Sequence, residues 1–297
     1  MKICEAIEKY SQWRFGNKEA CTVQHDYNFL RAFCLFVRNK DIEDIQEEDI
    51  TEYIKLHYDL GYKTNGIQSR VSAIRGLFRY LNAKKYTVIS TDLIQVPKKE
   101  WTDVRVATLS LYQKLLSVIP KNTKQWNGYH TRNRAIVMLL WDSGMRVGEL
   151  CSIKTKDMDF ERRLANIRTE KSRSAVPFRN IFWTEETNKE LIAWNRKRQQ
   201  LAGEYFFCQI YGDKKSQAIT TRGVQAVMRK YAKRNDLGGV LNPHSFRHAF
   251  GERMVMKGAQ DSVISSLMGH THMESSFRYT RLSKENMLEK YRNLTKK

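Results

Sequence analysis

Residues 243–250 read PHSFRHAF, and the fold of the second half of the chain turns on how that stretch is placed. Asn242 and Pro243 mark a break and then a helix start, because asparagine caps a helix and proline suits its first turn. On that helix His244 and Arg247 fall one turn apart on one face. His244 and His248 also stand at the i, i+4 spacing of zinc ligands. The metalloprotease pattern, however, needs Glu where this chain has Ser245, and no third ligand is evident. Upstream lies DSGMRVGEL, residues 142–150. An apolar run, AIVMLLW, leads into Gly144, which permits a sharp turn, and Arg146 follows where a helix restarts. Arg146 and Glu149 alone would make an ordinary salt bridge. Downstream lies LMGHTHMESSFRYTRL, residues 267–282, with His270 and then Tyr279. Between these stretches the polar turn EKSRS, residues 170–174, carries Lys171 and is flanked by segments of strand character at 164–168 and 175–178.

Working outward, the first 95 residues read as helices. Residues 23–37 and 50–60 have apolar residues at helical spacing, the second preceded by Glu47, Glu48 and Asp49 at its start. Residues 63–81, KTNGIQSRVSAIRGLFRYL, place Ile67, Val71, Ile74, Leu77, Phe78 and Leu81 on one stripe, with Arg70, Arg75 and Arg79 away from it. Residues 91–106 hold Pro97, a charge run and no sustained period, which reads as a linker. The expected division is therefore a helical domain over 1–95, a linker over 96–106 and a second domain over 107–297. Further helices are expected from near Leu109 to about Cys151, over 185–199 and over 221–235.

The net charge of +20 comes from 52 Lys and Arg against 32 Asp and Glu. Residues 1–95 hold 14 basic and 13 acidic side chains, and the rest of the chain 38 and 19. One half thus carries nearly all the excess, which favours a polyanionic partner, most often nucleic acid. The longest apolar run, 135–141, is too short to span a bilayer, and the opening MKICEAIEKYSQWR lacks an apolar secretion core. The five cysteines are scattered and none pairs at metal-site spacing, which fits a reducing cytoplasm. There is no GK dipeptide, hence no P-loop, and no acidic cluster of the two-metal nuclease kind.

Taken together, the segments around Arg146, Lys171, His244, Arg247, His270 and Tyr279 resemble the tyrosine recombinase (phage integrase) family in order and spacing, and residues 63–81 resemble its core-binding domain. The resemblance implies a mostly α fold with a small β-sheet: a helical DNA-binding domain followed by a mixed α/β catalytic domain. It implies a site-specific recombinase that cuts and rejoins DNA through a 3′-phosphotyrosine, without metal, ATP or cofactor, in integration, excision or dimer resolution. Arg146 and Arg247 would clamp the phosphate, Lys171 would protonate the departing 5′ oxygen, and His244 would assist proton transfer. His270 would hydrogen-bond the phosphate, Glu149 would orient the basic groups, and Tyr279 would be the nucleophile. A phenol is weakly nucleophilic near neutral pH, with a reference pKa of about 10, so an electropositive site is what such a tyrosine needs. Counting back from Pro177 by the family's hairpin length lands on Thr169, whereas counting forward from Arg146 favours Lys171; the two share a strand face. Residues 219–237 look like the family's major-groove helix, capped by Thr220 or Thr221, with Arg222, Arg229, Lys230 and Lys233 near DNA. Lys63, Thr64 and Arg70 are the corresponding candidates in the first domain. The expected partners are double-stranded DNA and further copies of the chain, four on two DNA sites, with the tail stripe Met287, Leu288, Tyr291 and Leu294 packing at home or on a neighbour. Two rival readings are a protein of this fold that binds DNA without catalysis, and a topoisomerase-like relaxing enzyme.

Overall fold

The computed structural model describes residues 1–16, 20–100, 106–121, 128–169, 178–238 and 241–269. The chain divides into two compact units, Met1–Asp103 and Val104–Lys297.

The first unit is built from α1 (Ile3–Phe15), α2 (Ala20–Phe36), α3 (Glu47–Asp59) and α4 (Thr64–Ala83). The stripe on α4 is the reason they assemble. Ile67, Val71, Ile74, Leu77, Phe78 and Leu81 are all buried, and α4 packs on each of the other three helices. Fully burying each such side chain is worth about 1.5–3 kcal/mol. At the start of α3, the Asp49 carboxylate accepts from the Gln46 backbone N–H at 3.0 Å, and the acidic first turn suits the positive end of the helix dipole.

The second unit holds α5 (Leu109–Val118), α6 (Gly128–Ser143), α7 (Val147–Ser152), β1 (Met158–Asp159), β2 (Leu164–Arg168), β3 (Phe178–Phe182), α8 (Glu185–Arg198), α9 (Thr221–Arg234), α10 (Pro243–Met256) and α11 (Asp261–Met268). The mostly helical class with a small sheet expected from sequence is what forms. Every residue of α6 from Thr131 to Trp141 is buried, as in a helix surrounded on all sides. Its charged members are therefore all paired: Arg132 donates to the Cys208 carbonyl at 2.8 Å, and Arg134 to the Leu116 and Ile119 carbonyls and to Glu190. The Tyr112 and Trp141 rings stack at 4.3 Å and Phe246 meets both edge-on, joining α5, α6 and α10.

The sheet is antiparallel in the order β1-β2-β3, with Ala165 opposite Ile181 and Ile167 opposite Arg179. Ala165, Ile167 and Ile181 are buried, so Arg179 occupies an inward register position. The returning strand is described from Phe178, the last residue of the stretch 175–178 read as strand-like from the sequence; residues 175–177 lie outside the described residues. The two-residue strand β1 had no sequence signal long enough to read.

At the end of α6, the Asp142 carboxylate accepts from the Thr184 backbone N–H, the Thr184 hydroxyl and the Thr187 hydroxyl at 2.9, 2.7 and 2.6 Å. This ties the last turn of α6 to the first turn of α8 and fixes where the chain leaves α6.

Candidate active site

The site begins where α6 stops. Gly144 has φ +59°, and a Cβ there would lie 2.5 Å from the Phe250 ring. Only glycine fits so close a backbone in the left-handed region. Arg146 follows in extended conformation as the N-cap of α7. Glu149, fully buried, accepts from the Arg146 backbone N–H at 2.8 Å and from Arg146 Nη1 at 3.0 Å. The same carboxylate accepts from Arg179 Nη2 at 2.8 Å. One buried acid thus holds two guanidinium groups from two different elements.

Arg247 comes from α10. The Asn242 side chain caps that helix, accepting from Ser245 N at 2.9 Å, with Pro243 in the first turn. The start of α10 thereby sets Arg247 one turn in, buried, with Nη1 donating to the Gly144 carbonyl at 2.7 Å and Nη2 to the Met268 carbonyl at 2.6 Å.

All three arginines converge on the end of α11. Arg179 Nη1 donates to the Leu267 carbonyl, Arg247 Nη2 to Met268 and Arg146 Nη2 to Gly269 at 3.1 Å. The last carbonyls of a helix lack partners within the helix and carry the negative end of its dipole, so they suit cations. Gly269 ends α11 at φ +61°. Burial pulls the Arg179 guanidinium below its usual pKa; Glu149 opposes that fall and Arg146 adds to it. Among the described residues, the cluster sets three guanidinium groups against one carboxylate. That surplus is suited to an anion, and the Arg146 side chain, a quarter exposed, is its open member.

Sequence reasoning missed Arg179. Its signal was available only as a charged residue in an inward strand position, which needs the register before it can be seen. His244 is exposed at the start of α10, its ring edge-to-face with that of His248 at 4.3 Å. Lys171, His270 and Tyr279 lie outside the described residues, as does the tail with Met287, Leu288, Tyr291 and Leu294.

On α9, Thr220 is the cap, accepting from Gly223 N at 3.0 Å, and Val224, Val227, Met228 and Tyr231 are buried. Arg222, Arg229, Lys230 and Lys233 are exposed, with Lys230 5.1 Å from the centre of the Tyr129 ring. In the first unit Lys63 is exposed, and the Thr64 hydroxyl donates to Glu100 at 2.5 Å. The Arg70 guanidinium lies 4.7 Å from the centre of the Phe29 ring and 4.5 Å from that of Tyr62. Those two rings and a bond to the Gly66 carbonyl at 3.0 Å account for its position.

Among the described residues no three His, Cys, Asp or Glu side chains gather as a metal site, and no helix is long and apolar enough to cross a membrane. A model of the phage integrase family matches residues 110–286. Tyrosine recombinase XerC of Staphylococcus carnosus (strain TM300) is 25% identical over 284 residues, covering 94% of this chain and 92% of that protein. Among solved structures, the Tn1549 transposon integrase in complex with a circular intermediate DNA aligns with 99% of this chain and all of its own at a TM-score of 0.77 and 18% identity. XerH site-specific recombinase bound to a palindromic difH substrate aligns with 96% of this chain and 93% of its own at a TM-score of 0.73 and 17% identity. At those identities the likeness to solved structures establishes the fold.

Proposed function

The chain belongs to the phage integrase family of tyrosine recombinases, and from that membership we propose that it cuts and rejoins double-stranded DNA through a covalent bond to Tyr279. The observation that carries this reading is the arginine cluster at the end of α11, where Arg146 and Arg247 hold the carbonyls one and two residues before His270.

In the proposed reaction the Tyr279 oxygen attacks phosphorus and loses its proton towards His244. The bond to the 5′ oxygen breaks, and Lys171 supplies the proton that makes a free 5′ hydroxyl. The 3′-phosphotyrosine is then attacked by the 5′ hydroxyl of a partner strand, which returns the phenol. One phosphodiester replaces another, so no external energy source enters the balance. Arg146 and Arg247 offset the charge that builds on the non-bridging oxygens, with Glu149 orienting Arg146 and His270 adding a hydrogen bond. The Met1–Asp103 unit and the α9 face would grip the duplex, and four copies would assemble on two sites. The DNA-bound state of the Tn1549 integrase and XerH structures supports the duplex as substrate.

The test uses a nicked duplex, recovered by covalent capture from a random-sequence library, that traps the cleaved state. Wild-type protein should give a denaturation-resistant adduct mapped by mass spectrometry to Tyr279, and Tyr279→Phe should give none. An adduct that survives in Tyr279→Phe overturns the assignment.

The α9 face gives a second expectation. Arg222, Arg229 and Lys233 are exposed and are assigned to phosphates, which give salt dependence rather than sequence readout. Changing each to Ala should flatten the plot of log affinity against log salt by about 1. Fluorescence anisotropy over a salt series measures it, and an unchanged slope in the triple variant removes α9 from the interface.

A further inference from the structure

Arg179 has no place in the reaction just described, yet it touches both Glu149 and the end of α11. Its side chain is 8% exposed. One arm of its fork holds the Glu149 carboxylate, which also holds Arg146. The other arm holds the Leu267 carbonyl in the last turn of α11. Its stem and Nε pack against Gly269, as does Thr169 just after β2: a Cβ on Gly269 would lie 2.7 Å from Arg179 Nε and 3.2 Å from Thr169 Cγ2. Arg179, on β3, therefore joins two further segments through its guanidinium: the start of α7, where Glu149 also holds Arg146, and the last turn of α11. Among the described residues, Nε itself is buried without a hydrogen-bond partner. An inward strand position beside Ile167 and Ile181 would be filled at lower desolvation cost by an apolar side chain. A charge stands at this inward position, and both of its arms are spent on elements of the site.

We propose that Arg179 is a positioning residue for strand cleavage. It locks Glu149 and the end of α11 in one register and through them aims the Arg146 guanidinium at the scissile phosphate. The proposal rests on the reading that Arg146 clamps that phosphate. Arg179 acts at one remove, so its loss should mimic a misplaced Arg146 and not a lost nucleophile or a lost DNA contact.

The experiment measures single-turnover adduct formation on the captured nicked duplex in two forms. One has an ordinary scissile phosphate, and the other a methylphosphonate, whose neutral centre no longer needs an arginine to offset charge. Arg179→Gln should slow the phosphate reaction roughly 10²-fold with little change in DNA affinity. On the methylphosphonate its deficit relative to wild type should shrink to about 10-fold or less. Combining it with Glu149→Gln should cost less than the product of the two single effects, because the two share the Arg179–Glu149 contact. Arg179→Lys, which keeps the charge but has a single ammonium, can serve one arm and should fall between wild type and Arg179→Gln. An equal deficit on both substrates, additive effects with Glu149→Gln, or an Arg179→Lys variant as fast as wild type would each overturn the proposal. The Lys variant and the substrate comparison decide the matter even if Arg179→Gln folds poorly. A wild-type protein that forms no adduct on either substrate would instead overturn the covalent reading, and the Arg179 proposal with it.

Discussion

Arg247→Ala is expected to slow covalent-adduct formation roughly 10³-fold or more, the scale on which a guanidinium aimed at a transferring phosphoryl group acts. Two effects combine. The variant removes a cation from the proposed phosphate clamp. It also strips the donor from two carbonyls, Gly144 and Met268, that Arg247 joins across the unit. A buried carbonyl left without a partner costs about 1–3 kcal/mol, so stability should fall as well. The two losses separate by experiment. Arg247→Lys keeps a positive charge but cannot bridge both carbonyls while presenting a planar fork. It should recover part of the stability in urea denaturation and little of the cleavage rate. Near-normal cleavage in Arg247→Ala, measured on correctly folded protein, would remove Arg247 from the clamp.

Gly144→Ala is expected to cost about 3 kcal/mol, large against the 5–15 kcal/mol by which folded domains are stable. The left-handed φ of +59° costs a residue with a Cβ about 1–2 kcal/mol. The new methyl would stand 2.5, 2.6 and 2.8 Å from the Phe250 Cδ1, Cγ and Cβ atoms. Phe250 is buried and branched at a ring, so relief requires backbone movement, adding about 1–3 kcal/mol. The shift would move the carbonyl that Arg247 holds and the segment leading to Arg146, so cleavage should fail along with stability. Urea midpoints of wild type and variant measure the first effect. A midpoint within error of wild type would show that the turn tolerates a side chain.

Much of the fold was legible because its signals are local. The α4 stripe, the Asn242-Pro243 start of α10, the Thr220 cap and the β2 segment at 164–168 each rest on residues a few positions apart. The turn at Gly144 and the restart at Arg146 were legible for the same reason. What the sequence concealed depends on partners far along the chain. Arg179 gains its meaning from Glu149, thirty residues earlier, and from Leu267, 88 residues later. Arg70 is a DNA-contact candidate through the resemblance of residues 63–81 to the family's core-binding domain, and its place off the apolar stripe fits a solvated face equally well. The rings of Phe29 and Tyr62 that flank it come from other parts of the fold and give it a packing role.

The meeting of Arg146, Arg179 and Arg247 at the last carbonyls of α11 has a kinetic consequence. Three like charges drawn together in open water would drift apart, and gathering them during the reaction would add to its barrier. Here the helix end and Glu149 hold them in place by folding alone. Under the proposed chemistry, a duplex arriving at this surface meets cations that are already assembled, and the work of overcoming their mutual repulsion is done when the chain folds and not again at each round of cleavage.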